Sequence, residues 1–236
     1  MLGTLYVCAT PIGNLEDVSL RLLDTLRSVA LICAEDTRYS RQLLSRHEIS
    51  TPLTSCHQHT PPAKIAALVE QLNSGESLAL VTDSGTPGVS DPGPRLVAAA
   101  AEAGIEVQPI PGPCAMVAAL SISGFDAQRF SFLGFLPRKP GKRRKAIAEG
   151  LARGETLVIY ESPYRAVSTL QALAEAEPGR AVVACRELTK KFEESLRGTT
   201  AEVAAELGKR KEVKGEFAIV VGPDVTEVTD DGDEED

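Results

Sequence analysis

The chain has 236 residues, 43% of them apolar, enough material for two α/β cores of roughly 110 to 120 residues each. Its net charge of −8 belongs to its end: eight of the 33 acids lie in residues 224–236, which hold no Lys or Arg, and the rest balances at 25 acids against 25 bases. Five scattered cysteines (Cys8, Cys33, Cys56, Cys114, Cys185) without a CxxC pair argue against a disulfide framework or a zinc site, and no apolar stretch approaches the ~18 residues of a membrane span. Reduced thiols in a cytoplasmic protein are the expectation.

In chain order, Thr4–Ala9 reads as a short buried strand ending in the turn TPIGN (Thr10–Asn14), and Ser19–Ser28 as a helix with Leu20, Leu22, Leu23 and Leu26 on one face. The apolar run Val29–Ala34 ends in the polar string EDTR (Glu35–Arg38), followed by a helix over Tyr39–His47. Pro52–Ser55 is a weaker strand ending in CHQH (Cys56–His59), and Ala63–Asn73 is an amphipathic helix. Strand Leu78–Thr82 runs into DSGTPGVSDPG (Asp83–Gly93), whose three glycines and two prolines force a stiff turn, and helix Pro94–Ala103 follows. Strand Glu106–Pro109 ends in the PGPC turn (Pro111–Cys114), leading into an Ala-rich helix to about Ile122. Strands alternating with helices imply right-handed crossovers and a parallel sheet, so all five punctuated loops open on one sheet edge and make a cleft.

A second unit begins at Phe130–Phe135, followed by the basic string from Arg138 to Lys145 and a helix to Arg153. Strand Thr156–Tyr160, helix Arg165–Ala176, strands Ala181–Glu187 and Glu193–Arg197, helix Thr200–Leu207 and strand Glu216–Val221 complete it. The gap from Glu187 to Glu193 is too short for a helical crossover and predicts antiparallel pairing. Domains are expected over 1–124 and 125–223, with 224–236 as an acidic disordered tail. Residues 1–130 hold 8 bases and 13 acids, and residues 131–223 hold 17 and 12, so the second half is the one suited to a polyanion.

Neither GxGxxG nor GxxxxGK[ST] occurs, which leaves a nucleoside-like or amino-acid-like ligand held largely by backbone groups. The strings ATPIGNLED, CAEDTR, DSGTPGVSDPG, PGPCA, GFLPRK, YESPYR, RELTK and KGEFAIVVG occur in that order across residues 3–223. Together they resemble the 16S ribosomal RNA (cytidine-2′-O)-methyltransferase family, a branch of the tetrapyrrole methylase superfamily. The resemblance implies a homodimer of chains with two α/β domains and S-adenosylmethionine in the cleft between them. It implies 2′-O-methylation of a decoding-region cytidine of 16S RNA in the small ribosomal subunit, with neither DNA nor membrane as partner. The methyl donor is expected against Pro11, Gly13, Gly85, Thr86, Val89, Pro111, Gly112, Cys114, Tyr160, Glu216, Phe217 and Ala218. TPIGN and GTP depart from the Gly-rich first loop and GDP string of the tetrapyrrole enzymes, so Thr86 stands in place of an acid and a porphyrin precursor is disfavoured. A tetrapyrrole C-methyltransferase and a non-catalytic ribosome-binding protein are the alternatives.

A ribose hydroxyl is a poor nucleophile and calls for a base or a cation beside it. Asp36 with Arg38, at a strand end on the cleft edge, is the first candidate pair, and Glu187 with Lys190 the second. Asp36 could equally cap the following helix, and Glu187 with Lys190 could be an ordinary ion pair. His57 and His59 sit in a polar loop without metal-ligand spacing, so no metal is expected. Arg138, Lys139, Lys142, Arg143, Arg144 and Lys145 are the candidate RNA contacts, which would position phosphates without reading sequence. With only 4% aromatic residues, base stacking is not expected to be the main recognition mode.

Overall fold

A computed structural model describes residues 1–90 and 94–224; Asp91, Pro92 and Gly93 of the long turn, and residues 225–236 of the expected tail, lie outside it. The chain divides between Ala115 and Met116 into two compact units.

The first unit contains β1 (Thr4–Cys8), α1 (Leu20–Ser28), β2 (Leu31–Ala34), α2 (Thr37–Arg46), β3 (Leu53–Ser55), α3 (Pro62–Asn73), β4 (Leu78–Val81), α4 (Pro94–Glu102) and β5 (Glu106–Ile110). Its strands pair in the order β3-β2-β4-β1-β5, every pair parallel. Alternation along each strand explains the layering. In β4, Leu78 and Leu80 face one core with α3 and α4, and Ala79 and Val81 face another with α1 and α2. Pro109 is tolerated because β5 lies at the sheet edge. Helix α1 starts where the Ser19 side chain accepts the Leu22 N–H, and α3 where Pro62 occupies a first-turn position that needs no donor.

Helix α5 (Ala115–Ser123) leads into β6 (Phe130–Phe135), α6 (Pro140–Leu151), β7 (Thr156–Glu161), α7 (Pro163–Ala176), β8 (Ala181–Arg186), β9 (Glu194–Thr199), α8 (Thr200–Gly208) and β10 (Phe217–Val221). The second sheet has the order β6-β7-β10-β8-β9, with β6–β7 parallel and the other three pairs antiparallel, including the β8–β9 pair that the short connection predicts. One apolar core joins α6, α7 and α8 to the strands. Helix α5 is fastened to this sheet by the Tyr160 hydroxyl, which accepts the Met116 N–H at 2.8 Å, and by Arg197, which donates to the carbonyls of Ser123 and Ile122.

Candidate functional site

Parallel pairing places the residues after β1 to β5 on one edge of the first sheet. Three of these loops interlock. Thr10 and Gly85 exchange backbone hydrogen bonds at 2.9 and 3.1 Å, and the Thr86 hydroxyl donates to the Pro113 carbonyl at 3.1 Å. Gly85 takes φ +86°, which disfavours a side chain, and a Cβ there would press on Ile12 at 3.3 Å; a Cβ on Gly112 would lie 3.0 Å from that of Ala9. These two glycines therefore serve loop-to-loop packing, whereas Gly88 (φ +86°) borders open space. Pro11, Gly13, Gly85, Thr86, Val89, Pro111, Gly112 and Cys114 all belong to this assembly, whose strings ATPIGN, TDSGTPGVS and IPGPC hold no Lys or Arg. Backbone groups, hydroxyls and apolar side chains without a cation form a donor set that fits a nucleoside carrying a positively charged sulfonium.

From β2 the chain moves to β3 on one side, and from β4 to β5 on the other, so the adjacent β2 and β4 ends form a topological switch point. Asp36, Glu35 and Asp83 meet there. The Asp83 carboxylate accepts the Asp36 N–H at 2.9 Å. Asp36 caps α2 by accepting the Arg38 N–H, and its carboxylate is forked by the exposed Arg38 guanidinium at 2.5–3.1 Å. Hydrogen bonds from Arg38 bring the Asp36 carboxyl down to about 2. Glu35 and Asp83 move the other way: burial raises both, and Glu35 is raised further by the Asp83 and Asp36 charges. The sequence reading passed over Glu35 and Asp83, although Glu35 stands in the same CAEDTR string. His57 accepts the His59 N–H through Nδ1 within a loop that Arg95 holds by the carbonyls of Gln58 and Thr60. No group of three potential metal ligands occurs among the described residues. All five cysteines are free, and burial pushes Cys8 and Cys33 up to about 12, which makes them packing residues rather than nucleophiles.

In the second sheet β6, β7 and β8 run the same way, so Phe135, Glu161 and Arg186 end on the edge where β9 and β10 begin. Lys190 is held between Glu187 at 3.0 Å and Glu216 at 2.8 Å, and the Glu187 carboxylate also accepts the Glu216 N–H. Burial raises Glu187, but these donors outweigh it and leave the group below its ordinary value; burial likewise lowers Lys190, and its two carboxylate partners leave it raised. Glu187 and Thr189 take left-handed backbone (φ 52° and 65°), and a Cβ on Gly215 would lie 2.3 Å from Glu187 Cγ, so the RELTK and KGEF strings are built around this ion cluster. Phe217 and Ala218 are buried in β10, and Tyr160 packs edge-on against Phe132 and Phe135.

Glu161, missed from sequence, is fully buried and accepts the Thr169 hydroxyl at 2.8 Å, the Ser162 N–H at 2.9 Å and Arg165 at 3.3 Å. Arg165 in turn donates to the carbonyls of Leu136 and Pro137, fixing the entry to the basic string. Of the six candidate RNA contacts, Arg144 is paired with Glu175, Lys145 with Glu149, and Arg143 is half-buried against Ser168. Arg138, Lys139 and Lys142 are exposed without an acidic partner among the described residues.

The sequence profile of the Tetrapyrrole (Corrin/Porphyrin) Methylases matches residues 4–204. A Xylella fastidiosa protein named Ribosomal RNA small subunit methyltransferase I is 48% identical over 93% of this chain and 81% of its own length. Its Bacillus subtilis namesake is 44% identical over 93% and 75%. Among solved structures, the methyltransferase CobJ superposes with a TM-score of 0.70 at 20% identity, covering 94% of each chain. Uroporphyrin-III C-methyltransferase from Thermus thermophilus, complexed with S-adenyl homocysteine, gives 0.63 at 17% identity, covering 92% and 96%; these likenesses carry the fold alone.

Proposed function

Since the chain belongs to the tetrapyrrole (corrin/porphyrin) methylases, and within them to the ribosomal RNA small subunit methyltransferase I family, we propose that it methylates a cytidine ribose 2′-hydroxyl in the decoding region of 16S RNA. It is an rRNA methyltransferase that uses S-adenosylmethionine, whose sulfonium supplies an already activated methyl group. We read it as a cytoplasmic homodimer acting on the small subunit. No helix among the described residues is long and apolar enough to cross a membrane.

The observation that most supports an RNA substrate is the α6 entry, where Arg138, Lys139 and Lys142 are exposed and unneutralised, a surface suited to phosphates. In the first unit we assign the donor contacts to Pro11, Gly13, Gly85, Thr86, Val89, Pro111, Gly112 and Cys114; Tyr160, Glu216, Phe217 and Ala218 are the candidates of the second unit. Arg38, exposed and oriented by Asp36, would clamp a substrate phosphate. A carboxylate held near pKa 2 is a weak proton acceptor, so in this reading Asp36 positions Arg38 and its neighbour Glu35 takes the hydroxyl proton. Glu187 and Lys190 would shape the second-unit edge.

The test is transfer of labelled methyl to purified small subunits, free 16S RNA and a tetrapyrrole precursor side by side, with nucleoside analysis. Label recovered as 2′-O-methylcytidine from RNA is the expected result. Label in the tetrapyrrole alone, or in another nucleoside, overturns the substrate assignment.

A further inference from the structure

We propose that Phe135 and Tyr164 form a stacking platform for an unpaired RNA base beside the cations of the α6 entry. This rests on the RNA reading above and specifies how the strand is held. Single exposed aromatics are ordinary on protein surfaces. Here Tyr164 is 94% exposed and Phe135 59% exposed in a chain with few aromatics, and both stand on a constructed support.

A register shift between Phe132 and Gly134 interrupts the β6–β7 pairing, and Gly134 takes φ +59°. Without it, the period of two would send Phe132 and Phe135 to opposite faces. With it, both rings meet Tyr160 edge-on, at 4.8 and 6.0 Å, and Phe135 is delivered to the exposed end of the strand. Tyr164 occupies the first turn of α7, directly before Arg165. Buried Glu161 holds Arg165, and Arg165 grips the carbonyls of Leu136 and Pro137, so the backbone carrying Tyr164 is tied to the backbone that follows Phe135. Arg138 and Lys139 come next along the chain. Further along the same sheet edge, exposed Phe192 carries Lys191 5.6 Å over its ring.

Exposed rings interleaved with unpaired cations are what binds a single strand, the rings by stacking and the cations through phosphate. A second copy of the chain fits less well, because a two-fold contact on this patch would bring two copies of the same cationic cluster together.

The chain contains no Trp, so Tyr164→Trp gives a single reporter. It is titrated with decacytidylate and with an abasic phosphodiester of equal charge. The expected result is quenching by decacytidylate only. Tyr164→Ala and Phe135→Ala are expected to weaken decacytidylate binding roughly 5- to 100-fold at an unchanged salt slope, while Tyr164→Phe stays within about twofold. Equal quenching by the abasic strand, wild-type affinity in both Ala variants, or quenching without nucleic acid that tracks dimer formation in sedimentation overturns the platform. Methyl transfer to small subunits separates the two readings. A wild-type chain that labels no RNA defeats the function itself, whereas normal transfer with unchanged oligonucleotide affinity in Tyr164→Ala defeats only the platform.

Discussion

Glu35 and Asp36 are neighbours in the chain, yet their carboxyl groups are shifted in opposite directions. Asp36 is lowered because Arg38 donates to both of its oxygens, and Glu35 is raised because burial and the Asp83 and Asp36 charges oppose its ionised form. A raised carboxyl binds its proton more tightly in the folded state, so its ionisation costs stability once pH exceeds the ordinary carboxylate value. Glu35→Gln is therefore expected to raise the thermal midpoint at neutral pH, with the gain disappearing as pH falls below the ordinary Glu range, and to lower kcat. Melting both proteins from pH 4 to 8 checks the sign; a midpoint lowered at neutral pH contradicts it. Asp36 was legible in sequence as a charge next to Arg38 and a helix start. That same arrangement occupies its carboxylate and makes Asp36 a positioning residue in our reading.

Strand and helix identities follow from local patterns, and the YESPYR string shows what lies beneath them. Its Tyr160 seats the β6 rings and the start of α5, its Glu161 is the buried anchor, and its Arg165 reaches back 29 residues to Leu136. Breaking a buried ion pair by removing one partner leaves the other uncompensated. Glu161→Ala is expected to cost about 3 kcal/mol, the low end for such a loss, because the Arg165 side chain is 22% exposed and regains some water. Urea unfolding measures it, and a change below about 1 kcal/mol would mean that Arg165 contributes little to holding the loop. The sequence offered only a strand over Thr156–Tyr160 with Glu161 just past its end; that the strand includes Glu161 and that its side chain points inward follow from the structure, where Thr169, two turns into α7, meets it.

For the whole molecule, a net charge of −8 conceals a basic second half, and the structure reduces its apparent six-residue cluster to Arg138, Lys139 and Lys142 as exposed cations without acidic partners among the described residues. If these meet phosphates, Lys139→Ala combined with Lys142→Ala should lower the slope of log affinity against log salt by about 1.4 for single-stranded RNA, roughly 0.7 per lost contact. Methyl-donor affinity should not change. Equal slopes for variant and wild type would place the phosphates elsewhere.

By itself the sequence determined the alternation of strands and helices, the antiparallel turn after β8, and the gathering of five punctuated loops on one sheet edge. These depend on backbone periodicity and loop length, which are local properties. Only the tertiary structure decided which charges meet. Asp83 receives the N–H of Asp36 from 47 residues away, and Lys190 reaches Glu216 across 26, because strand order makes β2 the neighbour of β4 and β10 the neighbour of β8. No spacing along the chain encodes those encounters, since the distance that sets a charge interaction is measured through space.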